Sequence, residues 1–140
     1  MSRSAPHITG AELKILKVVW KLGTATVRDV KEALARHGDE TPAYTTVMTL
    51  MGQLAGKKVF DVDRTRQPFV YRPTLRREKV LSQRLKQFLN TVFDGQAGEL
   101  VLHLVEEANL TSEDIQRIEE KIEKLEKEGE RARRKEKKGR

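Results

Sequence analysis

The order of apolar patterns in the first half of the chain limits the fold more than any other feature. Three segments carry apolar residues at the spacing of an amphipathic helix, and they begin near Thr9, Thr26 and Pro42. The spacing then changes to that of two short strands, at 58–63 and 68–72, which a polar turn joins. Helix, helix, helix and hairpin, in that order, is the layout of a winged helix-turn-helix.

The formal net charge of +7 is distributed unevenly along the chain. Residues 1–74 carry a net charge of +5, residues 75–110 are neutral, residues 111–130 carry −4 and residues 131–140 carry +6. A basic folded half favours a polyanion such as nucleic acid as the partner. A soluble surface that is positive for no functional reason remains the alternative at this point.

Composition excludes several classes of protein. The chain contains no cysteine, which excludes disulfides, thiolate metal sites and cysteine catalysis. Its three histidines, His7, His37 and His103, are too scattered to predict a metal site. No apolar stretch approaches the roughly 20 residues that a membrane span needs, and no secretory signal is visible, so we expect a cytoplasmic protein without membrane insertion. Neither a phosphate-binding glycine loop nor a Ser/His/Asp set is present, so we expect no cofactor and no enzymatic activity.

The third helix carries an unusual outer face. When its apolar stripe is turned inward, Thr45, Met48, Thr49 and Gly52 fall on the opposite side, with Gln53 at the edge, and none is acidic. Such a face can enter a major groove, whereas acids would be repelled by phosphate. A plain solvated helix surface is the alternative, although such surfaces usually carry Lys and Glu. The candidate DNA-contacting residues of this helix are Tyr44, Thr45, Thr46, Met48, Thr49 and Gln53.

A second group of basic residues could contact the DNA backbone. Arg64 and Arg66 lie at the hairpin tip, where a wing meets phosphate or the minor groove, although Asp61 and Asp63 offset their charge. The alternative is a solvated turn. The further candidates for this clamp are Arg28, Lys31, Lys57 and Lys58.

Helical patterns fill the rest of the chain and leave more apolar surface than one copy can bury. Monomers avoid large exposed apolar patches, and a two-fold related copy is the simplest cover. The candidate dimerisation residues are Leu81, Leu85, Phe88, Val92, Leu100, Leu104, Ile115, Ile118 and Ile122. The predicted fold is therefore mainly α with a small β-hairpin: a winged-helix DNA-binding domain at 1–74, a helical dimerisation region at 75–128 and a basic, disordered tail at 129–140.

Four runs of residues resemble the penicillinase-repressor family (BlaI/MecI/CopY type). They are the first-helix run 8–20, the third-helix run Ala43-Tyr44-Thr45-Thr46-Val47-Met48-Thr49-Leu50-Met51, the wing end 69–73 and the later stretch 88–115. The resemblance implies a homodimeric repressor on a palindromic operator upstream of resistance or stress genes. It also implies that Thr45, Met48 and Thr49 face the groove.

The same resemblance implies two routes of derepression, and the chain departs from both. β-Lactam-responsive members are cut at an Asn-Phe bond after a membrane sensor and protease pathway is activated, and the matching positions here are His103-Leu104. Copper-responsive members carry C-terminal cysteine pairs, which this chain lacks. An adaptor that uses a winged helix for protein docking is the alternative function, whereas RNA binding is disfavoured by the lack of clustered aromatic residues.

Overall fold

The computed structural model describes residues 6–37 and 41–139 as a mainly helical chain with one antiparallel hairpin, which confirms the predicted fold class. The chain forms two compact units, one that extends to Lys86 and one that begins at Gln87. The elements are α1 (Gly10–Leu22), α2 (Val27–Arg36), α3 (Tyr44–Gly56), β1 (Phe60–Asp63), β2 (Val70–Pro73), α4 (Arg77–Phe93), α5 (Ala97–Glu107) and α6 (Ser112–Lys138).

The first two helices begin where the capping residues predict. Thr9 and Glu12 form a reciprocal capping box at α1, and Thr26 and Asp29 form another at α2. Gly23 ends α1 with φ +86°, a left-handed conformation that glycine adopts without strain. The end of α2 predicted at Gly38-Asp39 lies outside the described residues.

The third helix begins two residues later than the Pro42 pattern predicts. Ala43 is the N-cap and is extended, with φ −61° and ψ 153°, so Tyr44 is the first helical residue. The Pro42 carbonyl accepts a hydrogen bond from Lys31 Nζ at 2.6 Å, which ties the turn to α2. Because the helix lacks a side-chain cap, its first N–H groups stay open to a ligand or solvent.

The hairpin is shorter at its start than predicted. Lys58 has φ +67°, which is incompatible with extended backbone, so β1 begins at Phe60. In the register of the two strands, Val62 opposes Tyr71. Tyr71 also exchanges two backbone hydrogen bonds with Ala25, at 3.0 and 2.8 Å, so the turn before α2 is fixed to the hairpin.

The core of the first unit joins all three helices, the hairpin and the start of α4. Trp20 packs beside this core, and its Nε1 donates to the Leu75 carbonyl at 3.0 Å. Arg84 of α4 donates to the Ile8 carbonyl. The start of α4 therefore packs with the helices and the hairpin of the first unit, and the domain boundary at residue 74 stays a prediction. The buried apolar residues are Ile8, Ile15, Leu16, Val19, Ala25, Val27, Val30, Val47, Met51, Leu54, Val59, Phe60, Tyr71 and Val80.

The second unit consists of the end of α4 with α5 and α6. The Phe93 ring lies 5.8 Å from that of Phe88 and 5.3 Å from that of His103, between ring centroids. α6 begins with a capping box of Thr111 and Asp114. No helix in the described ranges is long and apolar enough to cross a membrane.

The structure has helix over most of the segment that the sequence interpretation describes as a disordered tail from residue 129. In the structure α6 continues to Lys138. Lys, Arg and Glu are good helix formers, and basic residues in the last turn interact favourably with the helix dipole. Charge density alone therefore does not end this helix.

Candidate nucleic-acid interface

The third helix has one buried face and one exposed face. Val47, Met51 and Leu54 are fully buried on the inner side. On the outer side, Tyr44 and Met48 are each 47% exposed. The remaining candidates of this helix are also exposed, namely Thr45, Thr46, Thr49 and Gln53. We call these six residues the outer face of α3; it contains no acidic side chain.

The hydroxyl of Thr49 has one defined role within the helix. Its Oγ1 donates to the Thr45 carbonyl at 2.9 Å, so its proton is already used. Thr49 can therefore offer a ligand an acceptor oxygen and a methyl group, but not a free donor. Amino groups of adenine or cytosine and the thymine methyl are the matching features in a major groove.

Lys57, which the sequence interpretation lists in the phosphate clamp, contacts Glu12 and His7 in the structure. Its Nζ lies 2.6 Å from Glu12 Oε1 and 2.8 Å from the His7 carbonyl oxygen. Glu12 is fully buried, whereas the Lys57 side chain is 33% exposed. We therefore assign Lys57 a structural role as the partner of Glu12 and leave it out of the proposed phosphate clamp.

The Glu12 carboxylate stays charged in this environment. Burial alone raises the pKa of Glu12, but the hydrogen bonds from Lys57 and Thr9 outweigh this effect and lower the pKa below its usual value. Oε1 accepts from the Thr9 amide at 2.8 Å, whereas Oε2 is buried without a partner among the described residues. This ion pair links the start of α1 to the C-cap of α3, and sequence spacing gave no sign of it.

Lys31 also has a structural contact. It is half-buried, and its hydrogen bond to the Pro42 carbonyl holds the turn before α3. An ammonium group has two further donors, so the charge of Lys31 still adds to the positive potential near the start of α3. Arg28 and Lys58 are exposed, as a phosphate contact requires.

The hairpin tip holds two arginines in exposed positions. The Arg64 guanidinium lies 5.9 Å from the centre of the Phe69 ring, in a cation–π arrangement. Arg66 Nε lies 3.7 Å from Asp63 Oδ2. Hydrogen bonds from the side chain and amide of Thr65 lower the pKa of Asp63, so this carboxylate remains charged and offsets part of the tip's positive charge.

A groove of about 900 Å³ lies between α3 and the hairpin. Arg72 lines it, although the sequence interpretation did not single this residue out. The alternation with buried Tyr71 could have shown that Arg72 is on the outer side of β2. Arg72 Nη2 lies 3.4 Å from Asp61 Oδ2, and both side chains are about two-thirds exposed. The principal small and basic residues of the groove are Gly52, Ala55, Gly56, Lys58, Arg64, Arg66 and Arg72.

Seven of the nine candidate dimerisation residues are exposed in the single chain. Leu81 and Leu100 are half-buried. The others are exposed, namely Leu85, Phe88, Val92, Leu104, Ile115, Ile118 and Ile122. Four further apolar residues of α5 and α6, which the sequence interpretation did not include among the dimerisation candidates, are also exposed: Val101, Leu102, Val105 and Leu125.

Within the described ranges, no group of three His, Asp or Glu side chains could hold a metal ion. The outer face of α3 and the hairpin arginines belong to the same compact unit and present hydroxyl, thioether and guanidinium groups. Such an arrangement can bind a polyanion that also has apolar and hydrogen-bonding edges.

Comparison with known proteins gives a family assignment. The sequence pattern described as Penicillinase repressor matches residues 8–124. The penicillinase repressor of Bacillus licheniformis is 26% identical over 116 residues, which cover 83% of this chain and 89% of that protein. The methicillin resistance regulatory protein MecI of Staphylococcus aureus strain N315 is 25% identical over 118 residues, which cover 84% and 94%.

Solved structures also align with part of the chain. The solution structure of the Bacillus licheniformis BlaI monomeric form, in complex with the blaP half-operator, is 26% identical and covers 55% of this chain and 92% of its own, with a TM-score of 0.46. The family pattern, by contrast, extends from the residue before the α1 capping box into α6. The resemblance inferred from the sequence is confirmed, and the chain belongs to the penicillinase repressor family.

Proposed function

We propose that this protein is a DNA-binding transcriptional repressor that acts as a homodimer on a palindromic operator. The observation that carries the proposal is the exposed, acid-free outer face of α3 beside a groove lined by arginines of the hairpin. Membership in a family named for a repressor supports the same function. Because chromosomal DNA is the target, the proposal includes a cytoplasmic location.

In the proposed complex, the outer face of α3 lies in the major groove. Met48 and the methyl groups of Thr45 and Thr49 contact thymine methyls, and the Thr49 oxygen accepts from base amino groups. Tyr44, at the start of the helix, contacts a phosphate through its exposed phenol. The uncapped N–H groups of the first turn point toward the same backbone.

Basic residues hold the DNA backbone on the hairpin side. Arg64, Arg66, Arg72 and Lys58 contact phosphates along the groove between α3 and the hairpin. Asp61 and Asp63 reduce the local charge, and in the proposed complex Arg66 and Arg72 exchange these carboxylate partners for phosphates. Arg28 approaches the backbone from α2.

The second unit supplies the partner contact. Its apolar side chains are exposed in one chain, and a second copy with the same surface would cover them. Two recognition helices about 34 Å apart then read two half-sites one turn apart. Tethering raises the apparent affinity by roughly 10²–10⁴ over that of one module.

Selection from random duplex DNA tests this function. The full chain is expected to enrich a palindrome, and binding measured by fluorescence anisotropy is expected to weaken steeply as salt rises. Thr49→Ala is expected to reduce affinity for the selected site more than for a scrambled duplex. Thr91→Ala is the matched control, because Thr91 makes the same helical bond to the Gln87 carbonyl, at 2.7 Å, on α4. Failure to retain any duplex at low salt would refute DNA binding and favour a docking role.

A further inference from the structure

The last helix continues beyond the region that the family pattern covers. That pattern stops at residue 124, whereas α6 continues to Lys138. From Lys124 onward, basic residues recur at the 3-4-3-4 spacing that keeps side chains on one side of a helix. We call these side chains the basic face of α6; it consists of Lys124, Lys127, Arg131, Arg134 and Lys138.

The basic face lies opposite the apolar side of the same helix. At about 100° per residue, its centre is about 180° from the centre of the apolar residues between Ile115 and Leu125. All five basic side chains are exposed. A second copy that covers the apolar side, as in the homodimer proposed above, therefore leaves the basic face open.

Between Lys124 and Lys138, no acidic residue interrupts this face. The nearest acids of that segment, Glu128 and Glu130, lie about 80° to either side of its centre. Lys127 Nζ lies 3.2 Å from the carboxylate of residue 123, but both side chains are about two-thirds exposed, and such a pair is weak. In the described part of the chain, the three basic residues that follow Lys127 on this face have no carboxylate partner.

The like charges on this face destabilise the helix that carries them. Arg131 is four residues from both Lys127 and Lys135, and like charges at this spacing repel one another on a helix. The helix dipole favours Lys138 in the last turn, but its effect falls off before Arg131. The stacked charges therefore need a reason outside the helix, and an anionic partner supplies one.

The residues around the face favour the DNA backbone over other anionic partners. A helix that binds a membrane surface carries bulky apolar residues opposite its basic side, whereas Gly129, Ala132 and Glu136 lie opposite this one. The face presents only ammonium and guanidinium groups, without the aromatic residues that stack on unpaired bases. Its cations extend over about 21 Å in steps of about 5 Å, and such a regular row matches the repeated phosphates of a duplex.

We propose that the basic face of α6 is a second DNA-binding surface, which contacts the phosphates of duplex DNA without regard to sequence. This inference rests on the proposed function and deepens it. The outer face of α3 reads the bases, whereas the basic face of α6 adds affinity for any duplex through charge neutralisation and release of counterions.

Two triple variants that remove the same charge from the same helix test this surface. The test variant replaces three residues of the basic face: Arg131→Gln, Arg134→Gln and Lys138→Gln. The control variant replaces three exposed residues of α6 that lie at least about 100° from the centre of the face: Lys121→Gln, Arg133→Gln and Lys137→Gln. Glutamine is a good helix former, so circular dichroism should show the same helix content in both variants.

The readout is binding to a scrambled duplex several turns long, measured by fluorescence anisotropy over a range of salt concentrations. Each phosphate contact contributes about 0.9 to the slope of log affinity against log salt. We expect the slope of the test variant to be less steep by about 2–3 per chain and its affinity at low salt to fall about tenfold, whereas the control slope should change by less than about 1. The preference for the selected operator over the scrambled duplex should stay as in wild type.

Equal losses in the two variants would show that only the total charge matters and would overturn the proposal. An unchanged slope in the test variant would also overturn it and would favour an acidic protein as the partner of this face. Either result leaves the proposed repressor function standing as long as the selected operator is still preferred. A wild-type chain that binds no duplex would refute the proposed function together with this surface.

Discussion

Replacing Lys57 with methionine should destabilise the first unit more than replacement of a fully exposed lysine would, because Lys57 pairs with the buried Glu12 carboxylate. Lys57→Met keeps most of the apolar side-chain stem but leaves the Glu12 carboxylate buried without its ammonium partner. Breaking a buried ion pair by removal of one partner typically costs about 3–5 kcal/mol. Because the Lys57 side chain is 33% exposed and water screens it, we expect about 2–3 kcal/mol.

The assay is urea unfolding followed by fluorescence. The single tryptophan, Trp20, packs against the core of the same unit, so its emission reports the unfolding of this unit. Lys58→Met is the matched control, because Lys58 is the adjacent exposed lysine and is expected to change stability by less than about 0.5 kcal/mol. The double variant Glu12→Gln with Lys57→Met should recover part of the loss, since no charge is then buried. Equal stability of Lys57→Met and wild type would refute this description of the pair.

The stability that the Glu12–Lys57 pair contributes should fall as the pH is lowered. The folded pKa of Glu12 is lowered relative to the unfolded chain. Glu12 therefore adds to the free energy of unfolding above the pKa of the unfolded chain, about 4.3. This stabilisation is lost as the pH falls through the lower pKa of the folded protein. In Lys57→Met the carboxylate lacks its partner, so the stability gap between wild type and variant should be largest near neutral pH and shrink in acid.

Other predictions concern packing, the tryptophan bond and the hairpin. Leu16→Ala removes a fully buried side chain and should cost about 2–5 kcal/mol in urea unfolding, whereas truncation of exposed Leu22 should cost far less. Trp20→Phe removes the donor to the Leu75 carbonyl and should lower stability by about 1 kcal/mol or more. Arg64→Ala should weaken binding to all DNA sequences alike and reduce the salt slope by about 1, measured by anisotropy titrations; selective loss on one sequence would contradict a phosphate contact.

Local features of the fold could be predicted from the sequence. The capping boxes at Thr9 and Thr26 and the break at Gly23 each depend on residues within four positions of one another, so spacing reveals them. The exposed side of α3 also followed from its apolar stripe, because a helix has a fixed period. The hairpin followed from two short runs beside a polar turn.

Pairings between distant parts of the chain could not be predicted. Lys57 meets Glu12 across 45 positions, and Trp20 meets Leu75 across 55, and no local pattern encodes either pairing. The packing of Val80 into the core of the first unit is likewise visible only in three dimensions. The end of α6 was missed for another reason, since helix propensity and end charges outweighed the expectation from charge density.

Groove readout by the outer face of α3 is tested most directly by a ratio of affinities. The dissociation constants for the selected operator and for a scrambled duplex are measured for wild type and for the variant Thr45→Ala, Met48→Ala, Thr49→Ala. We predict that the ratio of the two constants falls at least tenfold in the variant, while binding to the scrambled duplex stays within about twofold of wild type. An unchanged ratio, or equal loss on both duplexes, would contradict base recognition by this helix.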